Sequence, residues 1–224
     1  MKKPILIWDI DGTLSDSSGA GIDALSRAIT QHFDNAENPT LDLAGATDGG
    51  IYRLMCERYH KAFKPEEQEA FYQLYLPLLE ENLSSGNFPG SIYPTVKDTL
   101  EHFREEGYTQ GLLTGNIEQG AFLKNKAQGI EEFFPFGAYG CDHHDRNELG
   151  FFAAERAAEY HNDCIEPEDL LIIGDTIKDI ACARACGAKV VAITTGHGTR
   201  ESLSSADWVI DSAEELVDLV QDNF

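Results

Sequence analysis

Basic residues are scarce in this chain: 17 Lys and Arg stand against 39 Asp and Glu in 224 residues, a formal net charge of −22. Nucleic acids and anionic membrane surfaces are held by basic footprints, so neither is expected as a partner. Long apolar runs are missing as well. None reaches the roughly 20 residues of a membrane span, and the apolar stretch before Asp9 is too short for a signal peptide. The five cysteines, Cys56, Cys141, Cys164, Cys182 and Cys186, are odd in number and lack framework spacing. A disulfide scaffold is therefore excluded, and free thiols in a reducing cytoplasm are expected. Cys182 and Cys186, four apart, share a helix face and read as small buried hydrophobes, not as a metal or redox pair. Repeats, low-complexity tracts and long linkers are absent too. With 42% hydrophobic residues, the length suits one domain, or one domain with a sizeable insertion.

What is present falls into two textures. The run Pro4 to Trp8 is short, continuous and β-branched, as in a strand buried on both faces. Residues 15–88 then carry helical stripes: Ile22, Leu25, Ala28, Ile29 and Phe33; Ile51, Leu54, Met55 and Tyr59; Phe71, Leu74, Tyr75, Leu78 and Leu79. Asn38-Pro39 separates the first from the second, Pro65 suits the first turn of the third, and no strand is evident. This segment reads as a small helical bundle. From residue 89 the pattern alternates. Strands are expected at 109–113, 136–139 (weakly), 170–173, 189–193 and 208–210, and helices at 96–106, 121–128, 149–160 and 179–186. Alternation of this kind predicts an α/β doubly wound parallel sheet covered on both faces, with functional groups at the carboxyl ends of its strands.

Polar clusters stand at those ends. Asp9 and Asp11, two apart, place both carboxylates on one side of an extended segment, before a turn at Gly12-Thr13. Asp175 and Asp179 close another strand and open its helix. Carboxylates gathered in one crevice repel one another and raise each other's pKa. A divalent cation relieves this, and oxygen-only donors favour a hard ion such as Mg²⁺. Thr114-Gly115-Asn116 supplies a hydroxyl, a flexible glycine and helix-opening amides, an anion site. Acid cluster, hard metal and anion site together point to phosphoryl transfer.

Asp9-Ile10-Asp11-Gly12-Thr13 resembles the first motif of the haloacid dehalogenase superfamily, Thr114 its second, and Gly174-Asp175-Thr176-Ile177-Lys178-Asp179 its fourth. The resemblance spans the whole chain and implies a Rossmann-like core (1–14 and 89–224) with an inserted helical cap domain (15–88), similar to the phosphoglycolate phosphatase-like branch. It implies Asp9 as nucleophile, forming an aspartyl phosphate, and Asp11 as acid and base. It implies Mg²⁺ on the Asp9 carboxylate, the Asp11 backbone carbonyl and Asp175, with Asp179 binding through water or orienting that set. Thr114 and the amides of Gly115 and Asn116 would hold the phosphoryl oxygens. The family's third motif usually supplies a Lys, often followed by Pro, and here the sequence departs. Arg146 stands at about that place and can supply the charge as a planar fork; Lys124, on the helix after Thr114, is the alternative. The expected activity is that of a Mg²⁺-dependent, cytoplasmic phosphatase acting on a small phosphorylated metabolite, 2-phosphoglycolate being favoured.

Rival readings differ at particular positions. Asp11 sets the chain apart from dehalogenases, whose halide leaves unaided, and Ile10 from ion-pumping ATPases, which carry Lys there. A phosphomutase remains compatible with the motifs. The inserted segment argues against a plain phospho-accepting receiver, and the four intact Asp positions argue against a silent binding protein. In the loop Leu43 to Gly50, which resembles the branch's substrate loop, Thr47 and Asp48 are candidates for substrate contact or a plain helix cap. Arg53 could pair with a substrate carboxylate or stand exposed. Cys141-Asp142-His143-His144 fits no closed metal site, His197 borders the crevice as a loop residue that could touch substrate but is more often solvated, and Glu66 to Glu69 suits a helix start.

Overall fold

A computed structural model describes residues 3–34 and 44–224. Its elements in chain order are β1 (Ile5–Trp8), β2 (Ser15–Asp16), α1 (Ala20–His32), α2 (Asp48–Arg58), α3 (Pro65–Ser84), β3 (Ser91–Ile92), α4 (Val96–Glu105) and β4 (Gln110–Leu113). There follow α5 (Glu118–Gln128), β5 (Gly137–Ala138), α6 (Leu149–His161), β6 (Leu170–Gly174), α7 (Ile177–Cys186), β7 (Lys189–Ile193), β8 (Trp208–Ile210) and α8 (Glu215–Asn223). Six strands form one parallel sheet in the order β5-β4-β1-β6-β7-β8. The chain begins in the middle of the sheet and works outward on either side, so β1 is buried between β4 and β6.

Alternation along the strands sorts the core. Ile5, Ile7, Ile172 and Val190 face one side and pack on Leu149, Ala153 and Ala157 of α6 and Ile180 and Ala183 of α7. Leu6, Trp8, Leu171, Ile173 and Val191 face the other side and meet Val96, Leu100 and Phe103 of α4 and Leu216 and Val220 of α8. Continuous apolar strands are what a sheet covered on both faces requires. A third core joins Ala24, Ala28 and Ile29 of α1, Ile51 and Met55 of α2, and Phe71, Tyr75 and Leu79 of α3; Ile117, just before α5, is buried in it too.

The sequence reading of residues 15–88 missed a strand. Ser15–Asp16 pairs antiparallel with Ser91–Ile92, outside the main sheet. Two residues are too few to leave a periodic trace. Helix α8 also escaped prediction, and α5 and α7 start earlier than expected, at Glu118 and Ile177. Asn38-Pro39 and Leu43 lie outside the described residues. All five cysteines are free; Cys56, Cys182 and Cys186 are buried and Cys141 and Cys164 exposed. Among the described residues no helix is long and apolar enough to cross a membrane.

Candidate active site

The site lies at the carboxyl ends of β1, β4 and β6, beneath the helices of residues 20–84. Asp9 extends the β1 ladder, its N–H donating to Ile173 O at 2.9 Å, and its side chain is buried. The chain then turns at Gly12, whose φ is +87°, and a Cβ there would stand 2.3 Å from Asp175 Oδ2. Only glycine meets both demands. From β6, Asp175 lies wholly buried. Its Oδ2 accepts the His197 N–H at 2.6 Å and stands 3.1 Å from His197 Nδ1, while its Oδ1 has no partner among the described residues. Thr176 caps α7, and Asp179 returns the favour by accepting from the Thr176 N–H (3.0 Å) and hydroxyl (2.7 Å).

Arg146 sits in a single helical turn, residues Arg146–Glu148, ahead of α6; Asp145 caps that turn by accepting from Asn147 N. Its guanidinium is buried, 3.2 Å from Asp9 and bonded to Asp179. This is where the third-motif cation was expected. Lys124 stands elsewhere. It projects from the buried face of α5, made of Gly120, Ala121, Lys124 and Asn125, and its Nζ lies 2.7 and 2.6 Å from the two Asp11 oxygens.

Asn116 joins the pieces. Its Nδ2 donates to Asp11 Oδ2 at 2.8 Å and to Thr114 Oγ1 at 2.7 Å. With its oxygen accepting, the Thr114 hydroxyl proton is left to donate toward an anion. Gly115 lies against the start of α2: its carbonyl accepts from Asp48 N at 2.7 Å, and a Cβ on it would overlap Ala46 O.

Burial drives the Asp9 carboxyl up to about 8 even with Arg146 opposing, and Asp179, Asp175 and Asp11 add to the rise. Burial also raises Asp175, against the His197 hydrogen bonds. Asp11 behaves oppositely. Burial works against its charge, but the Lys124 ammonium and the Asn116 amide outweigh it and hold the carboxyl below the usual range. Oxygens of Asp9, Asp175 and Asp179 lie within 4.8 Å of one another. Three buried carboxylates against one guanidinium, with Asp175 Oδ1 orphaned, fit a hard divalent cation. The Asp11 carboxylate is not part of that trio, being engaged by Lys124.

A cavity of about 290 Å³ opens above these groups, bounded by Gly21, Ile22, Leu25, Asp48 and Tyr75 of the helical segment. Asp48 caps the core: its carboxylate accepts the Ile117 N–H at 2.9 Å, and burial raises its pKa to about 6. Thr47 takes the helix-cap alternative, and Arg53 stands away from the cavity. Thr47 does not line the cavity; its hydroxyl donates to His144 O and accepts from Gly50 N, the plain helix cap. Arg53 lies outside as well, 3.9 Å over the Phe63 ring and beside a separate depression with His144. Asp142, from the Cys-Asp-His-His run, is tied to Arg156. His197, expected as a solvated loop residue, does keep an exposed ring but also serves Asp175. Lys124's pairing with Asp11 and the wall provided by Tyr75 and Gly21 were not anticipated. A lysine on the apolar face of a helix was the available signal for the first.

The family model for haloacid dehalogenase-like hydrolases matches residues 6–193. This chain belongs to that family. It is an enzyme of the hydrolase class, as the motifs implied. It is 27% identical to a phosphoglycolate phosphatase of Vibrio vulnificus, over 96% of this chain and 95% of that protein. It is likewise 27% identical to one of Nitrosococcus oceani, over 98% of both. A crystal structure from Haemophilus somnus, described as a predicted phosphoglycolate phosphatase, superimposes with a TM-score of 0.70 at 22% identity, covering 99% of this chain and all of that one. That last likeness speaks for the fold.

Proposed function

We propose that this phosphatase-type hydrolase cleaves a small-metabolite phosphomonoester, 2-phosphoglycolate or a close analogue, through an aspartyl phosphate on Asp9. The observation that carries the reading is the pairing of Asp9 with Arg146 at 3.2 Å, beside the Asp175–Asp179 cluster and across from Asp11 and Thr114. An Asp9 oxygen attacks phosphorus, the bond from phosphorus to the alcohol oxygen breaks, and Asp11 passes a proton to that oxygen. Asp11 rests ionised against Lys124, so an ester arriving as its monoanion supplies the proton that Asp11 relays. Asp11 then takes a proton from water, which displaces Asp9 from phosphorus and releases inorganic phosphate. Arg146 balances the charge of Asp9, and the Thr114 hydroxyl and the amides near Gly115 and Asn116 hold phosphoryl oxygens. Asp9, Asp175 and Asp179, with the Asp11 backbone carbonyl, would hold Mg²⁺, which when bound neutralises charge on those oxygens. Residues 15–88 act as a cap domain over a core of 1–14 and 89–224, with the cavity between them excluding water. Of the cap candidates only Asp48 reaches this cavity.

Phosphate release from a panel of small phosphomonoesters, 2-phosphoglycolate and sugar phosphates included, tests the reading. Release with Mg²⁺ that EDTA abolishes is expected. No release from any ester would overturn it.

A further inference from the structure

Lys124 has no part in the reaction just described beyond its contact with Asp11, yet its surroundings are unusual. The side chain is buried, and an unshared ammonium in such a place is costly. Two of its N–H groups are accounted for by the Asp11 oxygens. No other acceptor among the described residues engages it, and Nζ borders the cavity. Opposite it the cap presents Gly21, on which a Cβ would stand 3.3 Å from Nζ. A glycine there leaves the ammonium open toward the leaving-group side.

Charge around the cavity makes this position selective. Lys124 and Arg146 are the two Lys or Arg residues of its described wall, while Asp9, Asp11, Asp16 and Asp48 all line it. Arg146 is committed to Asp9 and Asp179 at the phosphoryl end. Of these two cations, Lys124 is therefore the one placed on the Asp11 side of the cavity, where a second anion on the substrate can reach it. Asp11 has to reach the ester oxygen, and Lys124 touches both oxygens of Asp11. A carboxylate on the ester-bearing carbon is only two bonds from that oxygen and so comes within reach of Nζ. Resting on the phosphatase reading above, we propose that Lys124 is the substrate-binding residue that selects phosphomonoesters whose alcohol bears a carboxylate on the ester-bearing carbon.

The test compares 2-phosphoglycolate with ethyl phosphate, which differ only in carboxylate against methyl. Wild-type protein is expected to favour the former in kcat/KM by roughly 10- to 100-fold, the range of a charge-assisted hydrogen bond. Lys124→Met slows both substrates through Asp11 and in addition collapses their ratio toward one, with the change in KM for the carboxylated ester. Equal rates on both substrates in wild type, or a ratio unchanged in Lys124→Met, would overturn the proposal while leaving the phosphatase reading intact. Should Lys124→Met not fold, Gly21→Ala presses a methyl toward the ammonium and is expected to lower the same ratio. Binding to Asp9→Asn by calorimetry separates the two readings. Tighter binding of 2-phosphoglycolate than of ethyl phosphate, lost on adding Lys124→Met, upholds Lys124 even without turnover, and equal binding of the two esters overturns it.

Discussion

Replacing Arg146 by Met removes one buried cation and leaves Asp9, Asp175 and Asp179 facing one another. With Asp9 ionised, above about pH 8, the direct attraction at 3.2 Å and an effective dielectric constant of 20 is 332/(20 × 3.2), about 5 kcal/mol before desolvation. The guanidinium also bonds Asp179. Measured cases of removing one partner from a buried pair cost about 3–5 kcal/mol. For a protein of this size that corresponds to a fall in Tm of roughly 6–20 °C in EDTA. Two further consequences follow if these carboxylates form a cation site. Millimolar Mg²⁺ raises the variant's Tm by more than it raises that of wild type, because the vacated charge enlarges the differential binding. Turnover falls by about 10²–10³ or more, the cost of losing a preorganised electrostatic partner, and Arg146→Lys retains more of it than Arg146→Met. Differential scanning calorimetry with and without Mg²⁺, together with phosphate release, supplies all of these readings. An unchanged Tm with near-normal turnover would refute the reasoning and shift the role to Lys124.

Three other perturbations have definite signs. Asp9→Asn is expected to abolish turnover, yet to raise metal-free stability above pH 4, because native Asp9 titrates at about 8 against an ordinary 3.8 and folding disfavours its charge; loss of stability in EDTA would contradict this. Asp48 is raised from 3.8 to about 6, so between those values the native protein binds more protons than the unfolded chain and stability falls as pH rises. The difference, (6 − 3.8) × 1.36, is about 3 kcal/mol, and urea unfolding of wild type and Asp48→Asn from pH 4 to 7 reveals it as diverging profiles, whereas parallel ones would count against it. Gly12→Ala combines a φ of +87° with a methyl 2.3 Å from Asp175 Oδ2; a loss of more than about 1–3 kcal/mol is expected, together with lost turnover, and normal unfolding and activity would show that the turn relaxes.

Much of this architecture was legible because it rests on local periodicity. Lys189 to Ile193 and Trp208 to Ile210 were found to the residue, since β-branched runs between turn residues have no competing reading. Asp9 and Asp175 were legible because each follows directly on a strand, with Asp11 two residues on and Asp179 in the first turn of the next helix, so that chain order carries them to one edge of the sheet. Arg146 was a candidate by its place ahead of α6, and its guanidinium lies beside Asp9 and Asp179. What stayed hidden depends on contacts between distant segments. Ser15 and Asp16 become a strand only because Ser91 and Ile92 lie beside them. Lys124 and Asp11 are 113 positions apart, and nothing local shows that α5 aims an amine at β1. Arg53's helix position was legible, but that its guanidinium lies over Phe63 was not, because the two are ten residues apart and on different segments.

The paired segments Ser15–Asp16 and Ser91–Ile92 have a consequence for how this chain tolerates change. The polypeptide leaves the sheet and returns to it at one point, with the two crossings a strand's spacing apart, about 5 Å. As far as the sheet is concerned, the long helical detour is equivalent to a tight turn, and its closure entropy grows only slowly with the length enclosed. Insertions, deletions and wholesale replacement between those crossings therefore leave the strand order and the aspartates untouched. A chain wired in this way can acquire a new substrate by rewriting one detour while its bond-breaking groups stay where they are.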